Sequence, residues 1–132
     1  MHLRVRSGSE HYALPVEGVR EIAPLGRISP LPGAPAALLG VWNLRGDVMA
    51  VVDLASLLGI EPGSRRRIVV VEREEQRAGL AVADVLDVAS LPDLREPADS
   101  PYLSGAVLIE GAPVGILDVG AVLDGAAAGA GR

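Results

Sequence analysis

The sequence predicts a mainly β protein built as two similar lobes of roughly five strands each, packed as one domain. Three observations carry this. Short β-branched runs recur along the chain, each bounded by turn residues. Sixteen Gly and ten Pro fill about a fifth of the 132 positions, too many for a helical protein. The chain also resembles itself when slid by about half its length.

The runs read as strands over Leu3–Arg6, His11–Val16, Val19–Pro24, Asp47–Val52, Arg67–Glu72, Arg77–Val82, Val85–Leu91, Ala106–Glu110 and Pro113–Leu117. Their short length and close spacing favour barrels or a sandwich over alternating βα units. The run Arg67-Ile68-Val69-Val70-Val71-Glu72 is almost wholly β-branched and predicts a central strand buried on both faces. Three short helical pieces are expected. Pro35–Leu39 has Pro near its start and Gly40 after its end, Leu54–Leu58 follows Asp53 and stops at Gly59, and Val119–Leu123 follows Asp118. Residues 1–124 form the domain, and 125–132 are expected to be a disordered Gly/Ala tail.

An offset of 65 aligns Gly40–Gly46 with Gly105–Gly111 and Val51–Leu58 with Ile116–Leu123. An offset of 66 aligns Leu14–Ile22 with Leu80–Val88, so one residue of length change reconciles the blocks. Three ordered blocks with matching Gly and Asp imply two similar lobes, and lobes of half this length are too small to stand alone.

Composition excludes much. There is no Cys and no Lys, and all 12 basic residues are Arg. Thiol chemistry, disulfides and Schiff-base lysines are therefore absent, which fits a reducing compartment. His2 and His11 are too few for a metal cage, so no metal or cofactor is expected. A net charge of −5 argues against nucleic acid or a membrane surface as partner. The charge-alternating start, Met1–Arg6, and the short apolar runs predict neither a signal peptide nor a membrane span, and a cytoplasmic location.

Asp53 and Asp118 occupy matching positions and invite comparison with a catalytic pair. Each precedes a short helix, where a carboxylate accepts from free backbone N–H groups, and capping explains the repetition without any reaction. Arg45 sits before a tight Gly turn, from which its guanidinium reaches either a partner's carboxylate or an internal one, Glu21 or Asp47. Trp42 reads as core before contact. Ser64-Arg65-Arg66-Arg67 reads as a solvated loop rather than a phosphate site, Glu72–Arg77 as a charged hairpin turn, and Gly111–Gly115 as a strand turn rather than a phosphate loop.

The segment Gly40–Leu54, GVWNLRGDVMAVVDL, resembles the signature of CheW-type chemotaxis coupling proteins. YALPVEGVREI (Tyr12–Ile22), RIVVVE, AGLAVADVLDV and YLSGAVLIEGAPVGILDV follow in family order, so the resemblance spans about Leu3–Leu123. It implies two five-stranded SH3-like barrels with a groove between them. It also implies a non-enzymatic adaptor that joins chemoreceptor cytoplasmic tips to the regulatory domain of a CheA-type histidine kinase. The receptor's helical hairpin would dock in the groove, and the kinase would meet barrel edges in membrane-associated arrays.

Carried over by motif position, the resemblance implies receptor contacts at Val19, Glu21, Arg45, Ile68, Gly79 and Val88. Val19, Ile68 and Val88 would form an apolar floor, Arg45 and Glu21 would fix the tip's rotation, and Gly79 would allow close backbone approach. Ala50 stands where the family usually has Pro. Trp42 replaces a smaller residue and is expected to alter the groove, and the stretch from Asp93 to Tyr102 is short for the family. Two other readings stay open: an adaptor of a chemosensory pathway other than swimming, and a two-lobed barrel holding a small metabolite.

Overall fold

The computed structural model describes residues 1–130. Ten strands and two helices run in the order β1 (His2–Ser7), β2 (Glu10–Pro15), β3 (Val19–Pro24), β4 (Leu38–Leu44), β5 (Asp47–Asp53), α1 (Leu54–Leu58), β6 (Arg67–Arg73), β7 (Gln76–Val82), β8 (Asp84–Ala89), β9 (Leu103–Ile109), β10 (Ala112–Leu117) and α2 (Val119–Ala130). They form two five-stranded sheets, ordered β8-β1-β2-β10-β9 and β3-β6-β7-β5-β4.

Those two orders are the same order once each half of the chain is laid on the other. Each sheet takes two strands from one half and three from the other, so the repeats are exchanged rather than folded side by side. The parallel registers prove the alignment. Val51 pairs with Gly79 in one sheet, and Ile116 pairs with Ala13 in the other, which are the positions the two offsets equate. The hairpin turns follow the same rule. Arg45-Gly46 and Glu110-Gly111 both adopt positive φ, the geometry a two-residue hairpin needs to match strand twist.

Burial is layered. The main core lies between the sheets and draws on both, with Leu3, Val5 and Leu14 from one, Val69, Val71 and Leu80 from the other, and Leu123 of α2. A second core backs the β3–β7 sheet with Trp42, Met49, Val51, Ile68, Val70 and Ala81. A smaller third core backs the other sheet with Ala13, Val107, Val114 and Ile116. Strand β6 thus turns Val69 and Val71 to one core and Ile68 and Val70 to another, the two-faced burial its composition predicts.

Two expectations fail. Pro35–Leu39 is not helical: residues 36–37 are a turn and Leu38 opens β4, pairing with Val52. Cross-strand pairing overrides the capping signals there, and the Asp53 N–H bonds to the Ala37 carbonyl at 2.8 Å. The tail also departs from expectation, because α2 continues through Ala130 and buries Ala126 with Val122 and Leu123. Alanine is the strongest helix former, and spacings of one and four residues place these three on one face. Residues 131–132 of that expected tail lie outside the described residues.

Candidate functional site

Arg45 occupies the first position of the β4–β5 turn at φ 50°, its side chain 70% exposed. Its Nη2 donates to Glu21 Oε1 on edge strand β3 at 2.5 Å. The internal salt bridge is therefore real and goes to Glu21. Asp47 is taken by Arg77, which also lies 3.2 Å from Glu72, itself 2.6 Å from Arg20.

The repeat supplies an internal control. Asp87 of β8 is the counterpart of Glu21, and it is gripped by Arg4 of the adjacent strand through two parallel bonds of 2.6 and 2.7 Å. Arg4 and Asp87 are also Cα partners in the ladder. That hydrogen bond holds the Asp87 carboxyl below its ordinary value and the Arg4 guanidinium above its own. Arg4 is thereby occupied in two-pronged geometry. Arg45 makes one bond from a hairpin tip and keeps the rest of its fork toward solvent.

The other expected contact residues divide. Val19 begins β3, two positions before Glu21, and is partly buried against the main core. Val88 is 50% exposed but lies on β8, the edge of the other sheet, paired with Leu3. Ile68 and Gly79 are both buried. Ile68 has no exposed surface and faces the core of its own sheet, so it is no part of an accessible floor. Gly79 is buried on β7, and a Cβ there would lie 2.7 Å from Ile68 Cγ2. Internal packing by itself requires the missing side chain. Trp42 is likewise 8% exposed in that core, so it shapes the interior and not a groove. A cleft of about 590 Å³ does run between the sheets, but none of the six expected contacts lines it.

Asp53 and Asp118 are caps. Asp53 is 2% exposed and accepts from the Ser56 N–H at 3.2 Å, the Ser56 hydroxyl at 2.7 Å and Arg65 Nε at 3.0 Å. Asp118 accepts from the Ala121 N–H at 3.1 Å. The Arg65 contact was missed because the arginine run reads as solvated; the buried carboxylate twelve residues earlier was the available signal. Gly40 repays its place in the motif differently. The Ser29 strand segment bridges to Val41 so closely that a Cβ at 40 would collide with the Ser29 carbonyl, and Glu96 bridges to Ala106 beside Gly105 in the same way.

Two sheets share one core, Asp53 and Asp118 are committed to helix caps, and the Arg45–Glu21 pair is displayed at a turn. The chain belongs to the CheW-like domain family, whose pattern it matches over residues 2–127. It is 33% identical to the chemotaxis protein CheW of Rhizobium meliloti over 128 residues, covering 89% of this chain and 83% of that one. It is 31% identical over 116 residues to the protein FrzA of Myxococcus xanthus, covering 80% and 72%. In structure it is similar to the scaffolding protein TtCheW from Thermoanaerobacter tengcongensis, with a TM-score of 0.79, 27% identity, and 89% and 87% of the two chains covered.

Proposed function

We propose that this chain is a non-enzymatic adaptor of chemotaxis signalling that couples chemoreceptor cytoplasmic tips to a CheA-type histidine kinase, in the cytoplasm at receptor arrays. The observation that carries this is the Arg45–Glu21 pair: an exposed guanidinium in single contact with an edge-strand carboxylate. A helical tip offering a carboxylate would use the free donors of Arg45. Coupling then follows from different affinity for the two signalling states of the receptor, with array avidity adding to weak single contacts.

Arg45→Ala tests it. An exposed pair contributes only about 0–1 kcal/mol to folding, so the melting temperature should move by a few degrees at most. Binding to the cognate receptor cytoplasmic fragment, by calorimetry, should weaken by about 1–3 kcal/mol, roughly 5- to 150-fold. Unchanged affinity removes Arg45 from the interface. Failure of the wild-type chain to co-purify with the kinase regulatory domain of the same genome overturns the adaptor reading itself.

A further inference from the structure

The 590 Å³ cleft and a sealed site on the opposite half are repeat-related, and only one of them is filled. On the filled side, α1 stops at Gly59, whose φ of 73° turns the chain off the helix. The irregular segment 60–66 then crosses the β1–β2 turn. The Glu61 carbonyl and Gly63 press on Gly8, and Arg65 Nε bonds Asp53 Oδ1 at 3.0 Å, leaving Asp53 2% exposed.

On the other side, the counterpart of Gly59 is Asp124, and among the described residues α2 runs on as helix to Ala130, packed on β5, β6 and β7, rather than leaving as an irregular segment across the β6–β7 turn. Asp118, the counterpart of Asp53, is left exposed in the cleft. Around it stand Glu17, Glu72, Arg73, Glu74 and Ser104. Glu72 is already held by Arg20 and Arg77, which leaves Glu17, Glu74 and Asp118 against Arg73, an excess of negative charge that favours a cationic occupant.

We infer that this cleft is a docking site for an extended, arginine-bearing segment of a partner protein, which takes the place that residues 60–66 hold in the other half. The arginine pairs with Asp118 as Arg65 pairs with Asp53, and the segment's backbone crosses the Glu74 turn as Glu61–Gly63 cross Gly8. The inference rests on the repeat and not on the receptor-binding reading, and the two fail separately because Arg45 and Glu21 do not line the cleft.

The probe is a synthetic peptide copying Gly59–Arg66, titrated into the isotope-labelled full chain and followed by NMR. Saturable shifts should concentrate at 72–74, 104 and 118–120. Asp118→Asn keeps a capping side chain but removes the charge, and should weaken the peptide at least tenfold. A peptide with its arginines replaced by glutamine should bind at least tenfold more weakly. Ser104→Arg, which supplies a tethered guanidinium at an exposed position, should block the peptide while leaving the spectrum folded. No saturable shift, shifts centred on residues 53–65, or affinity indifferent to both Asp118→Asn and the glutamine peptide would each overturn the inference.

Discussion

Gly79→Ala separates packing from contact at a position the family resemblance assigns to receptor binding. The added Cβ would lie 2.7 Å from Ile68 Cγ2 and 3.3 Å from Val51 Cγ2. Ordinary contact needs a further ångström or so on the first of these. Neither neighbour has room to yield, since Ile68 and Val51 are both 0% exposed and β-branched, and each is fixed by strand pairing. Overpacking of this kind costs about 1–3 kcal/mol, offset by roughly 0.4–1 kcal/mol from the reduced freedom of the unfolded chain. The net loss should be about 1–2 kcal/mol. At about 2.1 cal/mol/K per residue, that is a fall in melting temperature of roughly 4–7 °C for 132 residues.

Two assays decide the matter. Ile68→Ala alone should destabilise by about 2–5 kcal/mol through the cavity it leaves. In the double variant the new alanine methyl occupies part of that cavity, so the pair should be more stable than the sum by at least about 1 kcal/mol. Receptor affinity of Gly79→Ala, corrected for the folded fraction, should match wild type. Additive energies, or an affinity loss with no change in melting, would refute the packing argument and return Gly79 to the interface.

The two caps should differ. Asp53→Ala removes a cap and the buried Arg65 contact and should cost about 2–3 kcal/mol in denaturant unfolding, whereas Asp118→Ala should cost about 1. The Arg4–Asp87 pair sets a pH dependence. Because Asp87 titrates below its unfolded value near 4, its contribution is complete above that value and is lost as pH falls through the lower folded one. Asp87→Asn should therefore flatten the acid limb of a stability–pH curve below about pH 4 and leave neutral pH melting little changed.

The strand-rich architecture, the repeat and both real helix starts were legible because each rests on local chemistry: β-branched runs, hairpin glycines and capping acids. What was hidden is what the other half of the chain decides. Pro35–Leu39 carries helix punctuation, yet Leu38 is drawn into β4 by Val52 and Gly40 by the Ser29 bridge. The exchange of strands between halves leaves no mark on the sequence, since consecutive and exchanged repeats share one alignment. For the site, Arg45 and Glu21 could be named from sequence, but the partner of Arg45 stayed open between an external carboxylate, Glu21 and Asp47, a choice that only the strand arrangement makes. The burial of Ile68 was legible as well, because the β-branched composition of β6 predicts a strand covered on both faces.

The exchange also says where to look for function in this chain. Register across the parallel pairs β5–β7 and β2–β10 must agree between halves, so core positions such as Val51 and Ile116 stay equivalent under packing constraint. Surface positions carry no such constraint and are where the halves part. Glu21 meets a single bond from a turn while Asp87 is clamped in two; Asp53 is covered by its own chain while Asp118 stands open. In both comparisons the closed member explains itself as structure. The open member retains the same charged group with donors or acceptors unspent, in a place that its counterpart shows a guanidinium or carboxylate can fill. Subtracting one half from the other therefore leaves two places of opposite charge, Arg45 at the β4–β5 turn and Asp118 at the start of α2, and the two proposals above put an anionic group at the first and a cationic one at the second.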